Sequence, residues 1–318
     1  MNKDSEIKAI WMELAEARVS GLIKRAIDIS KYQGTIDWDK VKASGLVDYV
    51  IVRAGTGYGG NHKDEKFDYN MTNLNRLGIP TGIYWFSYAT NVAEATAEAK
   101  YCLEIVKPYR LELPIVWDFE YDSVSKAEKK GIKVTKALVT NMAIAFMSTI
   151  ENAKYYGMIY SNKHYLNTYF DSSIPKRYDL WYAAWPGGTI DITKTKPSMS
   201  CGIWQYGTTT VPGINGGVDG DVAYKDYPAI IKKAKLNNLD KPTAAEQENV
   251  KAVALSNALA KIKGNENAVK TVTEIASVLF KQTNKAVTQT GDTFQTAANY
   301  INSLGGYDIL INLANSLK

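Results

Sequence analysis

Trp117-Asp118-Phe119-Glu120 sets two carboxylates two residues apart at the end of a strongly apolar run. In an extended strand alternate side chains share a face and two residues advance about 6.6 Å. Asp118 and Glu120 would therefore project to the same side. Two like charges held this close in a buried site cannot both ionise easily, and one tends to keep its proton at neutral pH. A protonated acid beside an ionised partner is the pairing that glycosidic bond cleavage uses. On its own, Asp-x-Glu is also what an ordinary strand-to-loop exit with solvated charges looks like, so the rest of the chain must decide.

Two further segments carry carboxylates with aromatic neighbours. Asp28 opens Asp28-Ile29-Ser30-Lys31-Tyr32-Gln33-Gly34, followed by Ile36-Asp37-Trp38. Asp219 closes Gly213-Ile214-Asn215-Gly216-Gly217-Val218-Asp219, shortly after Trp204-Gln205-Tyr206. The elements between them alternate. Strand-like runs at 22–28, 49–54, 81–88, 114–120, 157–161 and 178–185 are separated by helical stretches at 39–44, 65–77, 92–106 and 134–154. Two more strands, 202–206 and 218–224, follow without room for helices. Such alternation predicts a mostly parallel sheet covered by helices and closed into a barrel, of irregular TIM-like α/β type because its last third lacks helices. In a closed barrel the first and last strands are neighbours. Asp28 and Asp219 would then share the C-terminal mouth with Asp118 and Glu120, where barrel enzymes place their chemistry.

The catalytic barrel is thus expected over residues 22–236. A polar linker at 237–247 and a tryptophan-free helical unit at 248–318 follow, the latter with stripes at Leu255, Leu259 and Ile262, at Val272, Ala276 and Leu279, and at Phe294, Ala297, Ile301 and Leu304 behind a cap at Asp292. Residues 1–21 read as an amphipathic helix with Ile7, Ile10, Trp11 and Leu14 on one stripe, either packed on the barrel or used for docking. The net charge of +5 is mild and scattered, which argues against nucleic acid as the main partner. Two distant cysteines without a CxxC pattern and only two histidines argue against a zinc site. The charged N-terminus has no apolar core of a secretory signal, and no stretch reaches the length of a membrane span. The expected product is a cytoplasmically made protein without membrane insertion.

The chain resembles family 25 of the glycoside hydrolases, the Chalaropsis-type lysozymes of phage endolysins and bacterial autolysins. The matching pieces are DISKYQG, VIVRAGTGYG at 50–59, GIYWFSYA at 82–89, PIVWDFE at 114–120, GMIYSN at 157–162, CGIWQYG and GINGGVD, in the family's order from residue 26 to about 230. The resemblance implies an irregular eight-stranded α/β barrel and cleavage of the β-1,4 bond between N-acetylmuramic acid and N-acetylglucosamine. Position by position, it implies that Glu120 is the general acid, Asp118 the carboxylate supporting developing charge, and Asp28 and Asp219 the flanking aspartates. Two positions depart from the family. Asp221 stands where Asn is frequent, and Trp85 where His or Tyr is frequent.

Three routes remain open at this point. Asp118 could attack the sugar directly, which needs carboxyls about 5–5.5 Å apart; it could support water attack across a wider gap; or it could orient the substrate's own N-acetyl group. The third suits two carboxylates on one strand best. Tyr32, Arg53, Tyr84, Trp85, Tyr160, Trp185 and Trp204 are the candidates for the substrate groove, and no metal or organic cofactor is required. The expected partner is bacterial peptidoglycan, reached at lysis or from a virion. The terminal helices are candidates for self-association or for contact with a phage structure.

Overall fold

A computed structural model describes residues 23–188, 190–240, 244–283 and 293–317. The expected helix over residues 1–21 and the cap at Asp292 lie outside the described residues. The chain divides into two compact units between Asp240 and Lys241.

The first unit is built on β1 (Lys24–Ile29), β2 (Tyr49–Thr56), β3 (His62–Lys63), β4 (Thr81–Phe86), β5 (Ile115–Asp118), β6 (Gly157–Asn162), β7 (Asp179–Ala183), β8 (Ile203–Thr209) and β9 (Val218–Ala223). They run in the order β1-β9-β8-β7-β6-β5-β4-β2-β3, and β1 also pairs with β2, which closes the sheet. Because β3 is a two-residue flap on β2, the wall of the barrel has eight strands. Pairing is parallel from β1 through β2 and β4 round to β8, with helices such as Phe67–Leu77, Val92–Val106 and Lys136–Asn152 in the crossovers. The segment between Thr209 and Val218 is too short for a crossover helix, so β9 returns antiparallel to β8 and pairs antiparallel with β1.

Strand alternation sorts the side chains into two layers. Ile27, Val52, Trp85, Trp117, Ile159 and Trp204 pack outward with helix residues such as Phe67, Cys102 and Phe146. Ala26, Ile51, Val116, Met158, Trp181 and Ile203 form the inner cluster, joined by Tyr227, Ile231 and Leu239. The barrel is therefore filled, as small barrels are. The polar stretch expected to begin a linker at 237 starts inside this unit. Asn237 donates to the carbonyls of Leu111 and Leu113 (3.2 and 3.0 Å) and accepts from the Tyr156 N–H (2.8 Å), so the chain is anchored there.

The second unit comprises helices Ala244–Lys263, Glu266–Thr283, Thr293–Ser303 and Tyr307–Ser316. Ile262, Val272, Ala276, Phe294, Ala297 and Ile301 form its core, with Leu255, Leu259, Leu279 and Leu304 packed against it. Gly264-Asn265 ends the first helix, and Asn265 Oδ1 caps the second by accepting from Ala268 N–H at 3.0 Å. No helix among the described residues is long and apolar enough to cross a membrane.

Candidate active site

Strand β5 ends at Asp118, one residue pair short of the expected run. Glu120 is nevertheless extended (φ −123°, ψ −169°), so the alternation that turns Asp118 inward also turns Glu120 inward. Glu120 is the N-cap of a helix, Tyr121–Lys129, that the sequence reading did not contain. Its backbone N–H donates to Ser123 Oγ (3.1 Å), which donates to the Ser87 carbonyl (2.6 Å). The acid is thereby tied to the loop leaving β4.

Asp28, Asp118, Glu120 and Asp219 all border one cleft of ≈ 240 Å³ at the C-terminal ends of the parallel strands. Asp28 lies directly opposite Asp219 in the antiparallel β1–β9 register, and Ala26 opposite Asp221, so both Asp219 and Asp221 share the inward face with Asp28. Tyr32, Arg53, Tyr84 and Tyr160 border the same cleft. Arg53 is held by Asp64, with Nε at 2.7 Å and a second nitrogen at 2.6 Å from the same carboxylate oxygen, and its guanidinium lies 5.0 Å from the Tyr32 ring. Asp64 also accepts from the backbone N–H groups of Lys31 (3.1 Å) and Lys66 (2.9 Å), which fixes the segment carrying Tyr32.

Gln205 joins the two halves of the mouth. Its Nε2 donates to Asp28 Oδ2 (2.8 Å), while its Oε1 accepts from Tyr160 Oη (3.0 Å) and from Trp185 Nε1 (3.1 Å). Asp221 is 1% exposed and accepts from Trp181 Nε1 at 2.8 Å. One oxygen each of Asp118 and Asp221 is buried without a donor among the described residues. Both residues instead meet a neighbouring carboxyl, Glu120 and Asp28 respectively. A hydrogen bond between two carboxyls exists only if one keeps its proton.

The electrostatics agree with that requirement. Burial, and secondly the charge of Asp219, push Asp28 up to about 8. Burial raises Asp118 well above the usual carboxylate range, with Glu120 adding to it and Arg53 opposing it. Glu120 is raised to about 7, again chiefly by burial. Asp219 and Asp221 are raised for the same reason. Asp118 and Glu120 are therefore a pair that shares a proton near neutral pH, which suits a site that must donate one.

Two of the expected groove residues are elsewhere. Trp85 is fully buried and packs against Tyr101 of the helix Val92–Val106, with ring centroids 5.8 Å apart. Trp204 is 1% exposed and donates to the Ala184 carbonyl at 2.8 Å. Both lie in the outer layer, because their strand neighbours Tyr84 and Gln205 face inward and adjacent strand residues face opposite sides. Trp185 is 54% exposed and stands beside the cleft through its bond to Gln205. The sequence reading missed Gln205, Trp181, Phe86, Ser30 and Gln33, which also border the cleft. The signal for Gln205 and Trp181 was present in the strand alternation, once one residue per strand is known to face inward. Among the described residues no group of three or more His, Cys, Asp or Glu is arranged to hold a metal ion.

The sequence model of Glycosyl hydrolases family 25 matches residues 27–214. Lysozyme M1 of Streptomyces globisporus is 28% identical over 216 residues, covering 66% of this chain and 68% of that protein. Among solved structures, the modular autolysin LytC from Streptococcus pneumoniae, in complex with a synthetic peptidoglycan ligand, superposes with a TM-score of 0.53 at 31% identity. That match covers 63% of this chain and 46% of LytC, so the chain spans about half the length of that relative. The bacterial lysozyme from Streptomyces coelicolor superposes with a TM-score of 0.53 at 25% identity, over 68% of this chain and 98% of that one. The matched stretch contains Asp28, Asp118 and Glu120, and the chain belongs to glycosyl hydrolase family 25.

Proposed function

We propose that this glycoside hydrolase is a muramidase, cleaving the β-1,4 bond between N-acetylmuramic acid and N-acetylglucosamine in bacterial peptidoglycan. The observation that carries the reading is the adjacency of Asp118 and Glu120 in one cleft with Asp28 and Asp219 at the barrel mouth. The names of the relatives, a lysozyme and an autolysin bound to a peptidoglycan ligand, point to the same substrate.

Glu120 is the proton donor in this account. Both carboxyls border the cleft, but Glu120 is half-buried whereas Asp118 is 3% exposed and lies deeper. A carboxyl pushed to about 7 is protonated in a large fraction of molecules near neutral pH, and its conjugate base is strong enough to take a proton back from the incoming water. Asp118 then supports the positive charge that develops as the bond breaks, by orienting the substrate's N-acetyl amide for attack on the sugar carbon. Arg53, the cation that opposes the rise of Asp118, helps keep it ionisable. Asp28 and Asp219 tune the proton on the central pair and hold the sugar or the incoming water. The exposed ring of Tyr32 on the cleft, and that of Trp185 beside it on Gln205, offer stacking faces to sugar rings.

For deployment, the reading is a phage endolysin or phage-tail lysozyme whose helical unit contacts the wall or an assembly. Digestion of purified cell walls followed by mass spectrometry of the reduced fragments tests the chemistry. Muramic acid at the new reducing ends is expected; glucosamine there, or release of peptides without new reducing ends, would overturn the muramidase reading.

A further inference from the structure

Glu98 is a buried carboxyl that the chemistry above does not use. It sits on the helix Val92–Val106, is 3% exposed and does not border the cleft. Its Oε2 accepts from Ser87 Oγ at 2.5 Å and its Oε1 from the Tyr88 N–H at 3.0 Å. Ser87, fully buried, is bonded at every polar atom. Its N–H donates to the Asp118 carbonyl (2.8 Å), its carbonyl accepts from Ser123 Oγ (2.6 Å), and its Oγ also accepts from the Ala89 N–H (3.3 Å). Ser123 Oγ in turn accepts from the Glu120 N–H. Ser87 therefore holds the backbone of Asp118 directly and that of Glu120 through one hydroxyl, while Glu98 holds Ser87.

The neighbouring backbone is shaped around this carboxyl. A Cβ on Gly57, just beyond β2, would lie 1.9 Å from Glu98 Oε1, so a side chain there would push the carboxyl from its place against the loop. Gly57 N–H donates to the Phe86 carbonyl at 3.1 Å, which places that glycine against the residue preceding Ser87. Burying a carboxyl is costly unless its acceptors are satisfied. Here both oxygens are satisfied by the one loop whose backbone sets the positions of Asp118 and Glu120.

We propose that Glu98, acting through Ser87 and Ser123, is a positioning residue that fixes Glu120 relative to Asp118 for proton donation. The inference rests on Glu120 being the acid. A carboxylate suits the task better than an amide: the amide of Glu98→Gln meets Ser87 Oγ–H and the Tyr88 N–H with only one oxygen, so one donor is left without an acceptor. Glu98→Ala leaves both without. Because the device acts on the placement of the acid rather than on the groove, its loss lowers kcat and leaves KM in place.

The test uses the full chain on soluble peptidoglycan fragments, with kcat, KM and melting temperature measured for Glu98→Gln, Glu98→Ala, Ser123→Ala, the double variant Glu98→Gln/Ser123→Ala, and Glu120→Gln. A misplacement of about 1 Å at a reacting group can cost about 10²-fold in rate, so a smaller shift should lower kcat about tenfold for Glu98→Gln and further for Glu98→Ala, with KM within about twofold. The double variant should lose little more than the worse single variant, since both changes break the same connection. Rates multiplying in the double variant, KM rising as kcat holds, or parental kcat in a folded Glu98→Ala protein would each overturn the proposal. Full activity in Glu120→Gln would instead overturn the acid assignment beneath it. Where Glu98→Ala is unfolded, the Glu98→Gln and Ser123→Ala cycle decides alone.

Discussion

Replacing Asp28 with asparagine should stabilise the protein, and do so only where pH makes the native carboxyl strain against its burial. Asp28 is 8% exposed, faces Asp219 across β1–β9 and meets Asp221. Its pKa is pushed from 3.8 to about 8. The unfolded chain releases this proton near the lower value and the folded chain near the upper one. Between them the folded state binds more protons than the unfolded state, so stability falls as pH rises through that window. One retained proton costs about 1.4 kcal/mol per pH unit, or at most about 4 kcal/mol over the roughly three units up to neutral pH. The amide of Asp28→Asn keeps an oxygen for Gln205 Nε2 and turns an N–H toward Asp221, so no partner is lost. In a domain of this size 1 kcal/mol moves Tm by about 2–4 °C, which puts the variant on the order of 10 °C above the parent near neutral pH. Near pH 4 the two should melt within about 2 °C of each other, because there the unfolded chain has only begun to release the proton and the linkage cost is still under about 1 kcal/mol. Differential scanning calorimetry at both pH values reads the pair of shifts. A variant no more stable than the parent at neutral pH, or an equal gain at both, would refute the reasoning.

Other substitutions separate structure from catalysis. Trp85→Ala and Trp204→Ala should each destabilise by about 3–5 kcal/mol, since both rings are buried in the outer layer; Trp185→Ala should melt like the parent and raise KM, and the opposite assignment in thermal melts and kinetics would reverse the groove described above. Arg53→Gln removes the cation that opposes the rise of Asp118, so the acidic limb of the pH–rate profile should move to higher pH; an unmoved limb would show that Arg53 does not act on that carboxyl.

The parallel sheet was legible because β2, β4, β5 and β6 are short apolar runs between amphipathic helices, the pattern of α/β folds in general. The central carboxylates were legible because their alternation continues through the extended Glu120 beyond the end of β5. The groove was less so. Tyr84 and Trp85 are adjacent on β4, as are Trp204 and Gln205 on β8, and only one of each pair can face inward. Aromatic character alone favours the tryptophans, while the register of neighbouring strands selects Tyr84 and Gln205. Asp221 shows the same dependence: its parity with Asp219 brings it inside, but its partner Asp28 is known only once β9 is seen to run antiparallel to β1. The helix Tyr121–Lys129 escaped because its nine residues are mostly polar and directly follow the strand exit.

The central claim is that Glu120 donates the proton. Glu120→Gln keeps the size and the backbone bond to Ser123 while removing the donor carboxyl. Its rate of clearing a purified cell-wall suspension, compared with the parent at equal folded concentration, should fall by about 10²–10⁴-fold, the usual contribution of a positioned general acid. Clearing at the parental rate would contradict the account.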